Sequence, residues 1–313
     1  MRSIAARRGA WGREMIESED MDLSARLPGC ALPIKASTRA DETRNGMQKI
    51  RLYLTLIFAA LLSACAVAPP APREAPLSYP PLARERMLRI AIAEWEEWGR
   101  QVSDRQPGPA QESDPAGFPR LQAYWRAVPE GQDIITRNRA LFRAGYEGQW
   151  QQDAWSAAFV SFVMQTAGID AREFRPSAAH GTSIDGMIAD ARDFPHQAPF
   201  IPHRVRDRVA QPGDLLCADR SRAPLAHWQD RAGDQGRFRP MHCDIVIRNH
   251  HGMVEAIGGN IRDAVTKARF PTDRRGILLP APPGAPQWFA IFENRLGRLP
   301  PWTASPNPEA SRP

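Results

Sequence analysis

The most informative segment of the chain reads Asp153-Ala-Trp-Ser-Ala-Ala-Phe-Val-Ser-Phe-Val-Met-Gln-Thr-Ala-Gly168. Its apolar residues recur at helical spacing and predict an amphipathic helix that packs on a core. We expect the carboxylate of Asp153 to cap the first turn and Gly168 to end the helix. Ser161 falls outside the apolar stripe and is expected to be exposed. The stripe consists of Trp155, Ala158, Phe159, Phe162, Val163 and Ala167.

Ser156 falls on the buried side of this helix, within its first turn. The backbone N–H groups of a first turn lack intrahelical partners, and the helix dipole is positive there. A hydroxyl in that position serves either as a local cap or as a nucleophile. The helix by itself leaves both interpretations open.

The composition is that of one domain of ordinary size with tails. The chain has 313 residues and a formal net charge of +6, with lysine and arginine scattered among aspartate and glutamate. No basic run is interleaved with aromatic residues, so the sequence does not indicate a nucleic-acid partner. No cysteine and histidine spacing matches a zinc site, and we expect neither a metal nor a cofactor.

The first 82 residues predict the leader and tether of an exported protein. Residues 47–64 combine a short positive segment with an apolar run too short to span a bilayer, and Cys65 follows directly. This segment resembles the lipobox of bacterial lipoproteins, which implies removal of the signal peptide and lipidation of Cys65. The alternative is a buried helix within a domain. Residues 1–46 would place the signal inside the chain, so we expect translation to start at Met47. Residues 65–82 are rich in proline and predict an extended tether.

The rest of the chain indicates helices first and strands second. Helices are expected over 82–102, 121–128 and 134–144 in a helical part spanning 83–148, and over 177–193 in the core region 149–296. Strands are expected over 214–218, 241–248, 252–257, 264–270 and 288–294. Helices followed by strands, without alternating units, predict an α+β domain built on a small antiparallel sheet. Residues 297–313 are rich in proline and predict a disordered tail.

Two further polar residues belong with Ser156. His242 begins a predicted strand, and Asn260 follows the dipeptide Gly258-Gly259 at the end of the next one. An amide there can accept a ring N–H from His242 and fix its tautomer. Ser156, His242 and Asn260 are therefore a candidate nucleophile, base and orienting group. Each also has an ordinary structural interpretation, as a helix cap, a half-buried strand histidine and a turn residue.

Four motifs follow one another along residues 149–292. They read Trp155-Ser156-Ala157-Ala158-Phe159-Val160, Pro212-Gly213-Asp214-Leu215-Leu216, His242-Cys243-Asp244-Ile245-Val246 and Gly258-Gly259-Asn260. In this order they resemble the CHAP and NlpC-type cell-wall amidases and peptidases. They also resemble a domain-of-unknown-function family of proteobacterial lipoproteins. The resemblance implies a papain-like fold and a triad of Ser156, His242 and Asn260. We expect Trp155, His180 and Gly259 to contact the substrate. For His180 the alternative is an exposed helix histidine.

The sequence departs from these amidases in carrying a serine where they carry the nucleophilic cysteine. A helix N-terminus helps a thiol to ionise, whereas a hydroxyl needs a general base during attack. The resemblance implies a hydrolase that cleaves an amide bond in peptidoglycan stem peptides, anchored by Cys65 in the inner leaflet of the outer membrane. The alternatives are a relative that binds peptidoglycan without cleaving it, and an esterase or acyltransferase that uses the same serine.

Cys243 is the rival nucleophile, and its strand position suggests another role. Side chains alternate along a strand, so Cys243 faces the core while His242 faces the other way, and no base is apparent for the thiol. Cys217 lies on a strand face that can meet Cys243, and exported proteins form disulfides. A Cys217–Cys243 bridge and two buried free thiols both remain open.

Overall fold

A computed structural model describes residues 82–103, 112–146, 153–234 and 236–297. The predicted start at Met47, the signal at 47–64, the lipidated Cys65, the tether up to residue 81 and the tail from residue 298 lie outside these ranges. Within them, no helix combines the length and the apolar character needed to cross a bilayer.

All the α-helices of the described ranges precede the strands in sequence. They are α1 Ala83–Glu97, α2 Phe118–Arg126, α3 Gly131–Arg143, α4 Ser156–Thr166 and α5 His180–Asp193. Each predicted helix is present, with boundaries that differ by a few residues. The largest shift at a functional position is in α5, which begins at His180 rather than at residue 177. Ser177 forms a turn ahead of the helix, in which its Oγ accepts the N–H of Ala179 at 3.1 Å.

The strands form one six-stranded sheet in the order β1-β6-β2-β3-β4-β5, and every neighbouring pair is antiparallel. The predicted α+β class with an antiparallel sheet is therefore confirmed. β1 was not predicted, because it is a four-residue edge strand that contains Pro202. The strands are β1 Phe200–His203, β2 Leu215–Asp219, β3 Met241–His250, β4 Met253–Gly258, β5 Thr266–Pro271 and β6 Gln287–Asn294.

The sheet is buried on both faces, and each face belongs to a different apolar cluster. On β2 and β3, Leu215 and Ile245 belong to the main core that includes the helices, whereas Leu216 and Val246 belong to a smaller cluster. Helix α4 packs on β3 and β4, and α5 packs on β1 and β3. Both helices therefore contact β3, the strand that carries His242.

The central helix differs from expectation at two polar residues. α4 begins at Ser156, its N-cap residue is Trp155, and Asp153 instead pairs with Arg137. The prediction of an aspartate cap was wrong because Asp153 lies three residues ahead of the first helical residue. Ser161 is buried, not exposed, and its Oγ donates to the carbonyl of Ala157 at 2.9 Å.

The end of α4 is as predicted. Gly168 has φ 81°, and the N–H of Ile169 donates to the carbonyl of Met164 at 3.1 Å. A left-handed glycine followed by such a backward bond is a common helix ending, because glycine has no Cβ to oppose the conformation.

Candidate active site at the start of two helices

The hydroxyl of Ser156 meets a histidine other than the one that sequence reasoning paired with it. Ser156 Oγ lies 2.9 Å from Nε2 of His180, and these are the first residues of α4 and α5. Each side chain is largely buried, with 6% of the residue's surface exposed. The start of both helices therefore converges on a single hydrogen bond between a hydroxyl and an imidazole.

His242 lies beside this pair and has a partner of its own. Its Nε2 hydrogen-bonds to Oδ1 of Asp244 at 2.8 Å, and the two residues share one face of β3. The centroid of the His242 ring lies 5.8 Å from that of His180, with an interplanar angle of 68°. The site therefore consists of two hydrogen-bonded pairs, Ser156–His180 and His242–Asp244, in contact through their histidine rings.

Gly258 has no side chain, and the His242–Asp244 pair occupies the space where its Cβ would lie. A Cβ at Gly258 would lie 1.9 Å from Oδ1 of Asp244 and 2.9 Å from Nε2 of His242. No side chain fits there without displacing the Asp244 carboxylate. The Gly-Gly dipeptide of the sequence motif is thus explained in part by close approach of the β4 backbone to this pair.

The structure does not place Asn260 where the predicted triad required it. None of the described hydrogen bonds joins its side chain to His242, and Asp244 binds the ring instead. Asp244 is favoured because alternate residues of a strand share a face, so its carboxylate is already beside the ring. Asn260 has φ 55° and begins a turn in which Arg262 and Asp263 also have positive φ. The pattern His242-Cys243-Asp244 carried the signal for this pair.

His180 is held neutral by its surroundings. Burial lowers its pKa well below the usual 6.5, and the neighbouring His242 and Arg220 lower this pKa further. The positive end of the α5 dipole acts in the same direction. A neutral imidazole has one nitrogen free to accept a proton. In the tautomer with the proton on Nδ1 this nitrogen is Nε2 of His180, which can then receive the proton of the Ser156 hydroxyl.

Trp155, expected to contact substrate, is a packing residue in this structure. It is 1% exposed, and its ring stacks on those of Trp98 and Tyr124, with centroids 5.4 Å away in each case. Its indole N–H donates to the carboxyl group of Glu112. Gly259 lies against the same helix, since a Cβ there would lie 2.5 Å from Cβ of Phe159. Both residues therefore hold α4 on the sheet and the neighbouring helices.

Replacing Glu112 by glutamine should change how stability depends on pH. Burial raises the pKa of Glu112 from 4.5 to about 8, so the folded state binds more protons than the unfolded state between these values. Stability should therefore fall as pH rises through this window, by up to about 1.4 kcal/mol for each pH unit. Urea unfolding at the two ends of the window measures the effect.

Glu112→Gln should remove this fall, whereas Glu96→Gln, at an exposed position of α1, should keep it. Equal pH dependence in the wild type and Glu112→Gln would show that Glu112 is ionised in the folded protein.

Ion pairs join described residues between β2 and β3 to the first two turns of α5. Arg231 binds the Asp185 carboxylate of α5 at 2.8 and 2.9 Å, and also binds Asp234 at 2.8 Å. Arg239 binds Asp234 and reaches Asp219, the last residue of β2, at 2.9 Å. The guanidinium of Arg231 also lies against the first turn of α5, 3.0 Å from the Cβ position of Gly181. The insert 219–240 therefore braces the helix turn that carries His180.

Cys217 and Cys243 are joined by a disulfide in the structure. They are directly opposite each other on β2 and β3, and both are buried. Because Cys243 lies between His242 and Asp244 in sequence, the bridge ties the strand segment of the candidate site to β2. A bonded Cys243 offers no thiol for attack, which removes it as a rival to Ser156.

The described residues contain no group of three or more histidine, cysteine, aspartate or glutamate side chains placed to hold a metal ion. His180 hydrogen-bonds to Ser156, and His242 hydrogen-bonds to Asp244.

Comparison with known proteins places the chain in a family. A model of the family DUF2272, described as uncharacterized proteins conserved in bacteria, matches residues 112–293. This segment includes both hydrogen-bonded pairs and most of the sheet. Neither the search of curated proteins nor the search of solved structures gave a match.

Proposed function

The chain belongs to the bacterial family DUF2272, and we propose that it is a cell-envelope hydrolase that cleaves an amide bond with Ser156 as nucleophile. The observation that carries this proposal is the 2.9 Å contact between Ser156 Oγ and Nε2 of His180 at the start of two helices. A hydroxyl is a poor nucleophile unless a base removes its proton during attack, and here a neutral imidazole is in place to do so.

The arrangement supports a two-step acyl transfer. Oγ of Ser156 bonds to the carbonyl carbon as its proton passes to Nε2 of His180. The N–H groups of the first turn of α4 have no partner within the helix and are suited to stabilise the oxyanion. The C–N bond then breaks, and the amine leaves with the proton from His180. Water repeats the sequence on the acyl-enzyme, with His180 again as base, and releases the carboxylic acid and the free serine.

His242 and Asp244 are assigned the supporting role. The carboxylate fixes the orientation of the His242 ring, which packs against the ring of His180. This contact limits the motion of His180 while it exchanges the proton. Compared with the sequence-based triad, His180 takes the place of His242 as base, and Asp244 takes the place of Asn260 as the hydrogen-bond partner of His242.

The proposed substrate is an amide of a peptidoglycan stem peptide. The support is the resemblance of the ordered motifs to CHAP and NlpC-type amidases, together with an α+β domain in which the nucleophile helix packs on an antiparallel sheet. We propose that this domain has a papain-like fold. Ser156 and His180 are largely buried, which limits the access of a substrate to the hydroxyl. This burial is the observation in favour of the alternative, a relative that binds wall fragments without cleaving them.

Incubation of the full chain with peptidoglycan fragments, followed by mass analysis, tests the activity. New peptide products with the wild type and none with Ser156→Ala would support the hydrolase. Binding without products would support the non-catalytic relative. Turnover of small esters without cleavage of muropeptides would support an esterase or acyltransferase.

The pH dependence of kcat/KM should identify the base. Because burial, His242 and Arg220 lower the pKa of His180, its neutral form should persist below pH 6.5, and the acid limb of the profile should lie below that value. His180→Gln should abolish the activity, whereas His242→Gln should reduce kcat less. An acid limb at or above pH 6.5, with the two effects reversed, would make His242 the base.

The proposed location is the periplasmic side of the outer membrane, through lipidated Cys65. Cys65→Ala should leave an unprocessed precursor, since signal removal from a lipoprotein depends on that cysteine. Membrane fractionation and intact mass of the product measure this. Normal processing and membrane association in Cys65→Ala would contradict the anchor.

A further inference from the structure

We propose that the far end of the sheet carries a binding site for a phosphate group, separate from the candidate active site. The site is a depression of about 370 Å³ between the β3–β4 turn and the loop after β5. Its lining includes His250, His251, Thr272, Arg274 and Arg275. This volume lies within the range of pockets that hold small molecules.

The site is remote from Ser156. β3 runs from Met241 to His250, with His242 beside the serine at one end and His250 in the depression at the other. Eight residue steps along a strand cover about 26 Å. A ligand in the depression would therefore not contact the Ser156–His180 pair.

Two buried polar atoms of the lining lack hydrogen-bond partners among the described residues. They are Nε2 of His250 and Oγ1 of Thr272. A buried polar atom without a partner costs about 1–3 kcal/mol, so binding of an acceptor that reaches these two atoms would be favoured. Both atoms can donate a hydrogen bond, from an imidazole N–H and from a hydroxyl. They are thus suited to the same kind of ligand atom, an oxygen acceptor.

The charges around the depression favour an anion. Within the described residues, no ion pair involves Arg274 or Arg275, and both are exposed at the rim. Arginine binds phosphate through paired N–H groups, and such charge-assisted bonds are stronger than neutral ones.

Asp273 is the acidic residue of the lining, and its carboxylate is occupied locally. Oδ1 of Asp273 accepts the backbone N–H groups of Arg275 and Ile277 at 2.8 and 2.9 Å. These bonds hold the loop that presents the arginines. The lining holds two guanidinium groups and one carboxylate, so its net charge is positive even when both histidines are neutral.

The ligand chemistry is a phosphate group, which a lipid headgroup or a soluble phosphate ester could supply. Binding of inorganic phosphate to the full chain, measured by calorimetry at low ionic strength, tests the site. The variant Arg274→Gln/Arg275→Gln should bind about tenfold more weakly or worse, and Thr272→Val about threefold more weakly. The variant Arg139→Gln/Arg143→Gln, with the same loss of charge on exposed positions of α3, should bind as the wild type does.

A second experiment distinguishes a lipid headgroup from a soluble phosphate ester as the ligand. Sedimentation with vesicles of phosphatidic acid in phosphatidylcholine, against phosphatidylcholine alone, tests a headgroup. Vesicle binding that Arg274→Gln/Arg275→Gln removes would identify a lipid headgroup, and phosphate binding without vesicle binding would identify a soluble ester. No saturable binding in either arm, or an equal loss in the α3 control, would overturn the proposal.

Discussion

Ser156→Ala should abolish amide cleavage, with kcat/KM reduced by about 10³-fold or more, as expected when a nucleophile is removed from a cooperating unit. His180→Gln should have a similar effect, because its Nε2 lies 2.9 Å from the hydroxyl oxygen. If the two act together, the double variant should be little worse than either single variant. Product formation from a muropeptide, followed by mass analysis, measures all three.

Ser161→Ala is the matched control. Ser161 is also a buried serine of α4, but its Oγ donates to the backbone carbonyl of Ala157 and has no histidine partner among the described contacts. We expect nearly full activity from this variant and a small loss of stability. Equal loss of activity in Ser161→Ala and Ser156→Ala would indicate damage to the helix. Full activity of Ser156→Ala would rule out Ser156 as the nucleophile.

The Ser156→Cys variant tests whether the protein is a hydrolase or a non-catalytic binding protein. A thiol at the start of α4 can pass its proton to His180 and should therefore react with iodoacetamide faster than an ordinary cysteine. Cleavage by either the wild type or the Ser156→Cys variant would support the hydrolase. Absence of cleavage by both proteins would favour the wall-binding relative.

Removing the disulfide should have the largest effect on stability. The bridge joins residues 26 apart in sequence, and closing a loop of that length contributes about 3–4 kcal/mol to the free energy of unfolding. Cys217→Ala, Cys243→Ala and the double variant should each lose about this amount, since either change breaks the same bond. Guanidinium unfolding under non-reducing conditions measures the loss.

Reduction of the wild type supplies the control for lost side-chain packing. Reduced wild type should approach the stability of the double variant, because only the bond differs between the oxidised and reduced forms. Alkylation of both thiols in denatured, unreduced protein would show that the bridge is absent. A loss near zero on reduction would show that the strand pairing alone holds this region.

The fold class could be predicted because periodicity is a local property. The apolar stripe of residues 155–167 and the alternation in residues 241–248 depend only on near neighbours, and both elements are present in the structure. The start of α4 was misplaced because a cap depends on backbone geometry rather than on residue type. Asp153 has a suitable side chain, yet it lies ahead of the N-cap and pairs with Arg137.

The residues of the candidate site also differ in whether near neighbours in sequence indicate their role. Ser156 was identifiable because its position at the start of an apolar helix is encoded within a few residues. His242 and Asp244 also carried a local signal, since alternate positions of a strand share a face. His180 was expected to contact substrate or to be an exposed helix histidine, and not to be the partner of Ser156. Nothing in its own segment indicates that it is buried or that it meets a serine 24 residues earlier.

The α+β class, the apolar helix and the position of Ser156 at its start thus follow from local sequence patterns. The partner of the serine and the environment of the site follow only from the packing of distant segments. Helices α4 and α5 pack on β3 in directions that bring their first residues together, and ion pairs of Arg231 brace the start of α5. The pKa of His180 is then lowered by burial among groups distant in sequence. Desolvation and charge act through space, and only the folded chain sets those distances.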